Sequence, residues 1–376
     1  VEKLKAAGWD GDQRWFNQLV AAWLLVPSPS NGLQQQQVLP LAEELALDEE
    51  GSVAEVALGS LMSWNVEQVA TLAPQVASHP HPQVRATIAQ ALLDQVNPDR
   101  VSLLVGFLDD PFKPTRVVVC DGLIELLADK IVGPAVAEEL ALVRSRHSWR
   151  GLEQQVRIMV AVPRVADEKW ITRHINHPRP EVFIHAAWAV RRLKITAALP
   201  TMLVRVKAAV AQMGPPANLD VTPYEDDMME QVCHIFQAFG EMKYKPAERM
   251  VVKSIGLNAP LYPFQVRASA AWAIGMYYEG NPENRIVGIL EGRVAHELPQ
   301  PQEGVIVKRM AAVSLARMKS VESIPLLERY FYSSPPNDYL KWTCAWALGE
   351  LGKEMDEEPS TTEVFSSNWF LEPTAK

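Results

Sequence analysis

Basic side chains are unevenly distributed along the chain, and some recur at a spacing suited to binding an anionic group. Residues 144–207 contain 13 Lys/Arg and 4 Asp/Glu, although the whole chain has a net charge of −9. A four-residue spacing places two side chains on one face of a helix. Such pairs could attract an acidic protein segment, a nucleotide or an anionic cofactor through charge-assisted hydrogen bonds. The predicted basic stripe consists of Lys169, Arg173, Arg205, Arg249 and Lys253.

A second interpretation of the basic stripe is a solvated surface whose charges pair within the chain, with Glu168 and Glu248 as the nearest acidic residues. Nucleic acid is a less suitable partner. The chain as a whole is acidic, and aromatic residues do not alternate with the basic ones. The expected partner is therefore another protein, and an acidic segment is the feature that the stripe would recognise.

Residues that would carry catalysis or bind a cofactor are not found at the required spacings. The sequence contains no G-x-x-x-x-G-K-[ST], no strand-embedded G-x-G-x-x-G and no G-x-S-x-G motif. His174, His177 and His185 are close in sequence, but Glu181 is the only carboxylate near enough to assist a metal. We therefore expect no metal and no cofactor, and the sequence favours a binding protein over an enzyme.

The elements that position these residues are predicted to be helices that repeat along the chain. The pattern Ala-Trp-Ala-hydrophobic occurs at 187–190, 271–274 and 345–348, with a looser copy at 22–25. Apolar residues spaced at i, i+3, i+4 and i+7 predict a helix, and a recurring helical unit predicts a stacked array. The predicted first helix of each unit spans 53–62, 84–93, 115–124, 156–165, 182–193, 229–239, 266–277, 307–318 and 340–351.

Two of these helices carry a resemblance to a known family. VRASAAWAIG at 266–275 is similar to the first helix of HEAT repeats. CAWALGELG at 344–352 resembles the short HEAT-like repeat of phycobilisome lyases and many bacterial proteins. The resemblance implies an all-α fold, a right-handed α-solenoid of stacked antiparallel helix pairs (HEAT/armadillo-like) with about nine to ten units. It also implies that the second helices, which carry the basic stripe, line the concave side.

The predicted organisation is one HEAT-like solenoid over residues 1–352, with a degenerate first unit at about 12–47 and a tail at 353–376. The tail is acidic and then aromatic, and we expect it to cap the last helices, with partner binding as the alternative. An insertion at 214–227 joins two units on the loop edge, where long loops commonly carry recognition or simply tolerate change. Its candidate binding residues are Tyr224, Asp226 and Asp227.

The function that this pattern favours is a non-enzymatic scaffold that binds a partner along the concave face or the loop edge. Two alternatives stay open at this point. One is a chromophore- or cofactor-attachment enzyme similar to the HEAT-like lyases. The other is a solenoid segment of a larger structural assembly, which a chain starting at Val1 would fit.

Composition adds two expectations about the environment of the protein. No run of 18 or more apolar residues occurs, so no membrane span is expected. The three cysteines, Cys120, Cys233 and Cys344, lie far apart in apolar helical runs, which predicts buried free thiols. So few cysteines are consistent with a reducing compartment, which favours the cytoplasm.

Overall fold

The described part of the chain is entirely helical. The computed structural model describes residues 35–212, 223–256, 263–296, 303–336 and 338–353. Within these ranges the chain forms eighteen α-helices and no β-strand. The helices fall into two compact units, residues 35–165 and residues 166–353. No helix in these ranges is long and apolar enough to cross a membrane.

The first unit contains eight helices in two layers. The helices α2, α4, α6 and α8 are the first helices of successive repeats, and they stack on one another in chain order. Each of α3 and α5 packs against the first helix that follows it. Short 3-10 turns at Pro98–Arg100, Phe107–Asp109 and Pro163–Val165 adjoin them. The helices are α1 (Gln35–Ala46), α2 (Gly51–Met62), α3 (Val66–Val76), α4 (Pro82–Asp94), α5 (Val101–Gly106), α6 (Lys113–Leu126), α7 (Gly133–Val143) and α8 (Trp149–Ala161).

The second unit repeats this two-layer arrangement with ten helices. Its first helices, α10, α12, α14, α16 and α18, stack in order, and each of α9, α11, α13, α15 and α17 packs on the first helix that follows it. We call these two sets the first-helix layer and the second-helix layer. The helices are α9 (Glu168–His174), α10 (Pro180–Leu193), α11 (Leu199–Gln212), α12 (Pro223–Glu241), α13 (Lys245–Ile255), α14 (Phe264–Tyr277), α15 (Asn284–Val294), α16 (Val305–Arg317), α17 (Ile324–Ser333) and α18 (Tyr339–Glu350).

Small residues bring the first helices of the second unit into close contact. A methyl group on Gly240 of α12 would lie 2.7 Å from the Cα of Ala273 in α14. A methyl group on Gly275 of α14 would collide with Ser314 of α16. The hydroxyl of Ser314 donates a hydrogen bond of 2.7 Å to the carbonyl of Ala271. Glycine is thus required at these crossings, because any Cβ would force the helices apart.

Four of the five first helices of the second unit, α10, α12, α16 and α18, end in a recurring turn. The residue after the helix takes the left-handed conformation, and the N–H of the next residue bonds back to a carbonyl in the last helical turn, which is a Schellman motif. In α10 the N–H of Ile195 donates to the carbonyl of Val190 at 3.0 Å. The left-handed position is held by Lys194, Lys243 and Lys319 with φ of 54°, 47° and 60°, and by Gly352 with φ of 80°.

Within each compact unit, buried ion pairs connect one helix pair to the next. In the first unit, the guanidinium of Arg85 donates two hydrogen bonds to Asp110, of 2.7 and 3.0 Å. In the second unit, the Glu303 carboxylate, 4 % exposed, bonds Arg267 and Arg293, each at 2.6 Å. Because both partners of each pair are shielded from water, removing one partner leaves an uncompensated buried charge.

The structure confirms the predicted all-α solenoid, and nine first helices lie in the described ranges. The prediction for 156–165 was wrong, because α8 spans Trp149–Ala161 and Pro163 follows it. Trp272 is fully buried, whereas Trp188 and Trp346 are only half-buried. The single continuous array stays a prediction. The part of the degenerate first unit before residue 35 and the tail after Lys353 lie outside the described residues.

Candidate functional site

The first part of the basic stripe lies on α9, the short helix that opens the second unit. The carboxylate of Asp167 accepts a hydrogen bond of 2.9 Å from the N–H of Trp170 and so caps the helix. Trp170 and Ile171 are buried against the unit. Lys169 and Arg173 lie on the opposite face and are exposed. The four-residue spacing therefore places this pair on the surface, as predicted.

The last part of the basic stripe lies on α13 and has the same arrangement. Val251 and Ile255 are fully buried, which fixes the inward face of this helix. Arg249 and Lys253 are exposed on the outward face. Both helices belong to the second-helix layer of one unit, so the two pairs lie on helices of the same layer.

Arg205, the middle residue of the basic stripe, is half-buried and directed toward the first-helix layer. Its Nε donates a hydrogen bond of 2.8 Å to the side chain of Gln231 in α12. Its guanidinium lies over the ring of Phe183, 5.0 Å from the ring centroid. The outward face of α11 instead presents Val204, which is 71 % exposed, and the exposed Lys207.

Sequence reasoning therefore missed Lys207, and helical geometry explains why. Arg205 precedes the fully buried Val206 and lies about 100° from it around the helix axis, whereas Lys207 and Val204 are three residues apart on one face. Besides Lys245, which pairs with Glu248, the structure presents five exposed cations on α9, α11 and α13, and we call these five the outer basic face. They are Lys169, Arg173, Lys207, Arg249 and Lys253. The prediction that Arg205 binds a partner stays untested.

The acidic residues that could have neutralised the basic stripe bond elsewhere. The carboxylate of Glu248 pairs with Lys245 at 3.1 Å and accepts a hydrogen bond from the hydroxyl of Tyr278. These bonds hold the pKa of Glu248 below its ordinary value, although partial burial opposes the shift. Glu168 is exposed and pairs with no basic residue in the described ranges. The five cations of the outer basic face likewise form no ion pair within those ranges.

The candidate residues of the loop edge lie in a helix. Helix α12 begins at Pro223, so Tyr224, Asp226 and Asp227 belong to its first turns and not to the predicted insertion. Proline in the first turn and acidic residues near the N-terminus both favour a helix start here. Asp226 is exposed and Asp227 is half-buried. Residues 213–222 lie outside the described residues, and binding by the three candidates stays a prediction.

The three neighbouring histidines do not assemble around one point. Nδ1 of His174 lies 2.7 Å from the carbonyl of Trp170, and Nδ1 of His185 lies 2.7 Å from the carbonyl of Glu181. Nδ1 of His177 accepts a hydrogen bond of 3.1 Å from the N–H of Arg179. Across the described ranges, no group of three or more potential metal ligands comes together.

The cysteines are buried free thiols, as predicted. Burial raises the pKa of each thiol, Cys120, Cys233 and Cys344, to about 12. A thiol with such a pKa is protonated at neutral pH and is a poor nucleophile. These residues therefore contribute packing to the helix layers.

A mainly apolar cleft lies in the first unit, and none of the predicted site residues lines it. It has a volume of about 810 Å³. Pro74, Pro80, Phe107 and Phe112 form much of its lining, and the buried Arg85 is its basic residue. Ser78, His79, Asp109 and Asp110 also line it. His79 bonds the carbonyl of Asp48 and the N–H of His81, and the two carboxylates bond Ser148 and Arg85, so these three side chains are held by other partners.

Known proteins resemble the chain only in structure. No family model and no curated protein sequence matches it. A crystal structure of Kap121p aligns with a TM-score of 0.45 and 9 % identity over 90 % of this chain and 46 % of that chain. Kap121p bound to Pho4p gives 0.46 and 13 % over 85 % and 38 %. An engineered protein gives 0.39 and 14 % over 92 % and 96 %. The chain thus spans less than half the length of the Kap121p chains, and similarities this weak show nothing about its partners or activity.

Proposed function

We propose that this protein is a non-enzymatic scaffold that binds an acidic protein segment through the outer basic face. The observation that carries the proposal is the exposure of five cations on three successive helices of the second-helix layer, none of them paired within the described ranges. Because these surface cations form no ion pair within the described ranges, their charge is available to an incoming anion. An extended acidic segment could contact several of them at once.

The physical chemistry of this surface favours recognition of charge over burial of an apolar anchor. Val204 is the large apolar side chain exposed among these cations, at 71 %. Exposed cations raise the association rate and fix the orientation of a partner, and their contribution weakens as salt is added. Binding to the outer basic face should therefore depend strongly on ionic strength.

The experiment uses a double charge reversal, Arg173→Glu with Arg249→Glu, and an oligoglutamate peptide as the probe. Each lost contact is replaced by repulsion, so we expect affinity to fall about tenfold or more. The melting temperature should stay near that of the wild type, because both side chains are exposed.

A matched control reverses two exposed lysines of the first unit, Lys113→Glu with Lys130→Glu. This control changes the net charge of the protein by the same amount without touching the outer basic face. Equal loss of peptide binding in both double variants would mean that net charge alone attracts the peptide. Unchanged binding in the Arg173 and Arg249 double variant would refute the proposal.

We also infer that the repeats are of the short HEAT-like subtype. The last unit carries the sequence LGELG, in which Gly352 takes the left-handed position of the turn. The same position is held by a lysine in three other units of the second part of the chain. If the protein were a chromophore-attachment enzyme of this subtype, mixing it with a free tetrapyrrole would change the pigment spectrum. An unchanged spectrum with intact protein counts against that function and leaves the scaffold proposal in place.

A further inference from the structure

A polar crevice lies in the first-helix layer of the second unit, separate from the outer basic face. Its volume is about 480 Å³, and it is lined by residues near the C-terminal ends of α10, α12, α14 and α16. Four of the lining residues are cations, namely Arg191, Arg192, Lys194 and Arg317. The first three belong to α10 and the turn that directly follows it, and Arg317 ends α16.

Two hydrogen-bond donors in this crevice have no acceptor in the described part of the chain. Trp272 is 1 % exposed, and its indole Nε1 is buried without a partner. The guanidinium of Arg317 lies over the Trp272 indole, 4.9 Å from the ring centroid, and its Nη1 is also buried without a partner. Buried donors in native proteins are almost always satisfied, by protein, water or ligand. An acceptor bound in the crevice would satisfy both donors.

The charges of the lining indicate that this acceptor is an anion. The lining contains two carboxylates against its four cations, and both carboxylates already have basic partners. Glu241 pairs with Arg191 at 3.3 Å, and Glu279 pairs with Lys243 at 3.1 Å. The lining therefore carries an excess of two positive charges, which a dianion would balance.

Stabilisation of the helix C-termini does not account for this arrangement. Basic residues are favourable near a helix C-terminus, where carbonyl groups lack partners. Here the Schellman motif already uses the terminal carbonyls of α10, and the carbonyl of Arg317 accepts a hydrogen bond of 2.9 Å from the N–H of Gly280. The indole N–H of Trp272, moreover, belongs to no helix terminus.

We propose that this crevice binds a phosphate monoester, with Arg317 and Trp272 donating to its oxygens. A phosphate monoester carries nearly two negative charges at pH 7 and three acceptor oxygens, which matches both the excess charge and the two donors. Arginine is well suited to bind it, because its planar fork donates two parallel hydrogen bonds to an oxyanion. The phosphate belongs either to a small molecule or to a phosphorylated side chain.

Isothermal titration calorimetry in a chloride buffer of constant ionic strength tests the proposal. The probes are inorganic phosphate, O-phosphoserine and a short phosphoserine peptide, with succinate as a dicarboxylate of the same charge. We expect phosphate binding to weaken about tenfold or more in Arg317→Gln, which removes a charged donor. Trp272→Phe removes the indole N–H together with part of the fused ring, so it should weaken phosphate binding and, because the side chain is fully buried, also lower the melting temperature without ligand.

The control variant is Lys130→Gln, which removes an exposed charge in the first unit and should bind phosphate as the wild type does. Tighter binding of the peptide than of O-phosphoserine would assign the crevice to a phosphorylated partner, and equal binding would assign it to a small phosphorylated molecule. The proposal is overturned if no phosphate binds, which would leave water as the acceptor. It is also overturned if succinate binds as well as phosphate, or if binding is the same in Trp272→Phe and the wild type.

Discussion

Acidification should destabilise the second unit through one buried histidine. The side chain of His234 in α12 is completely buried, and neither ring nitrogen has a hydrogen-bond partner in the described ranges. Burial, and then the nearby Arg191 and His185, hold the pKa of His234 well below its ordinary value of 6.5. The folded protein therefore keeps this imidazole neutral under conditions in which the unfolded chain binds a proton.

The sign and size of the effect follow from this difference in proton binding. At pH 7 the imidazole is mostly neutral in both states, so it changes the free energy of unfolding little. Below pH 6.5 the unfolded state takes up a proton that the native state does not, so the free energy of unfolding falls by about 1.4 kcal/mol for each pH unit. The loss continues with decreasing pH until the native state also binds the proton, at the lowered pKa of His234.

The assay is urea unfolding followed by tryptophan fluorescence across this pH range, for the wild type and for His234→Leu. Leucine removes the titrating group, so the stability of this variant should fall less steeply with decreasing pH. The matched control is Gln237→Leu, one turn away in α12, which removes a fully buried polar group that does not titrate. That control should keep the wild-type pH dependence. The same pH dependence in His234→Leu and the wild type would refute the reasoning.

Four further variants test the stability of the second unit, each measured by chemical unfolding. Gly275→Ala should destabilise by about 1–3 kcal/mol, because the added methyl group meets Ser314; Gly288→Ala, where the methyl group meets open space in α15, should stabilise by about 0.5–1 kcal/mol. Glu303→Ala should cost about 3–5 kcal/mol, because it leaves two buried arginines without their carboxylate; a loss below about 1 kcal/mol would contradict the buried ion pairs. Trp272→Ala should cost about 3–5 kcal/mol as a core truncation, and a melting curve like that of the wild type would show that the ring does not support the core.

The helices could be predicted from sequence wherever an apolar period and a proline start coincide. Helix α10 was expected over 182–193 and spans Pro180–Leu193. Helix α8 was misplaced, because apolar residues continue past its true end to Val165, although Pro163 cannot continue the helix. Its true start is capped by Ser148, and its first turns bury Glu153 and Gln154, polar residues that an apolar period cannot detect.

The candidate site residues could likewise be predicted only where their signal is local in the sequence. The pairs on α9 and α13 were found from sequence, because a four-residue spacing within one helix is a local signal. The crevice was not found, since Arg191, Glu241, Trp272 and Arg317 come from four helices and share no spacing. Lys207 was missed because Arg205 and Lys207, two residues apart on α11, face different sides of the helix. Only the burial of Val206 in the structure shows which of the two is exposed.

The two-layer construction of the second unit has a mechanical consequence. First helices contact one another extensively and meet at glycines, whereas the helices of the second-helix layer mainly contact the first helix that follows. Bending should therefore change the distances between second helices more than those between first helices. The cations of the outer basic face would move apart or together as the unit flexes. Under the proposed function, a pulling force along this unit would change the affinity for an acidic segment, and binding would then report tension.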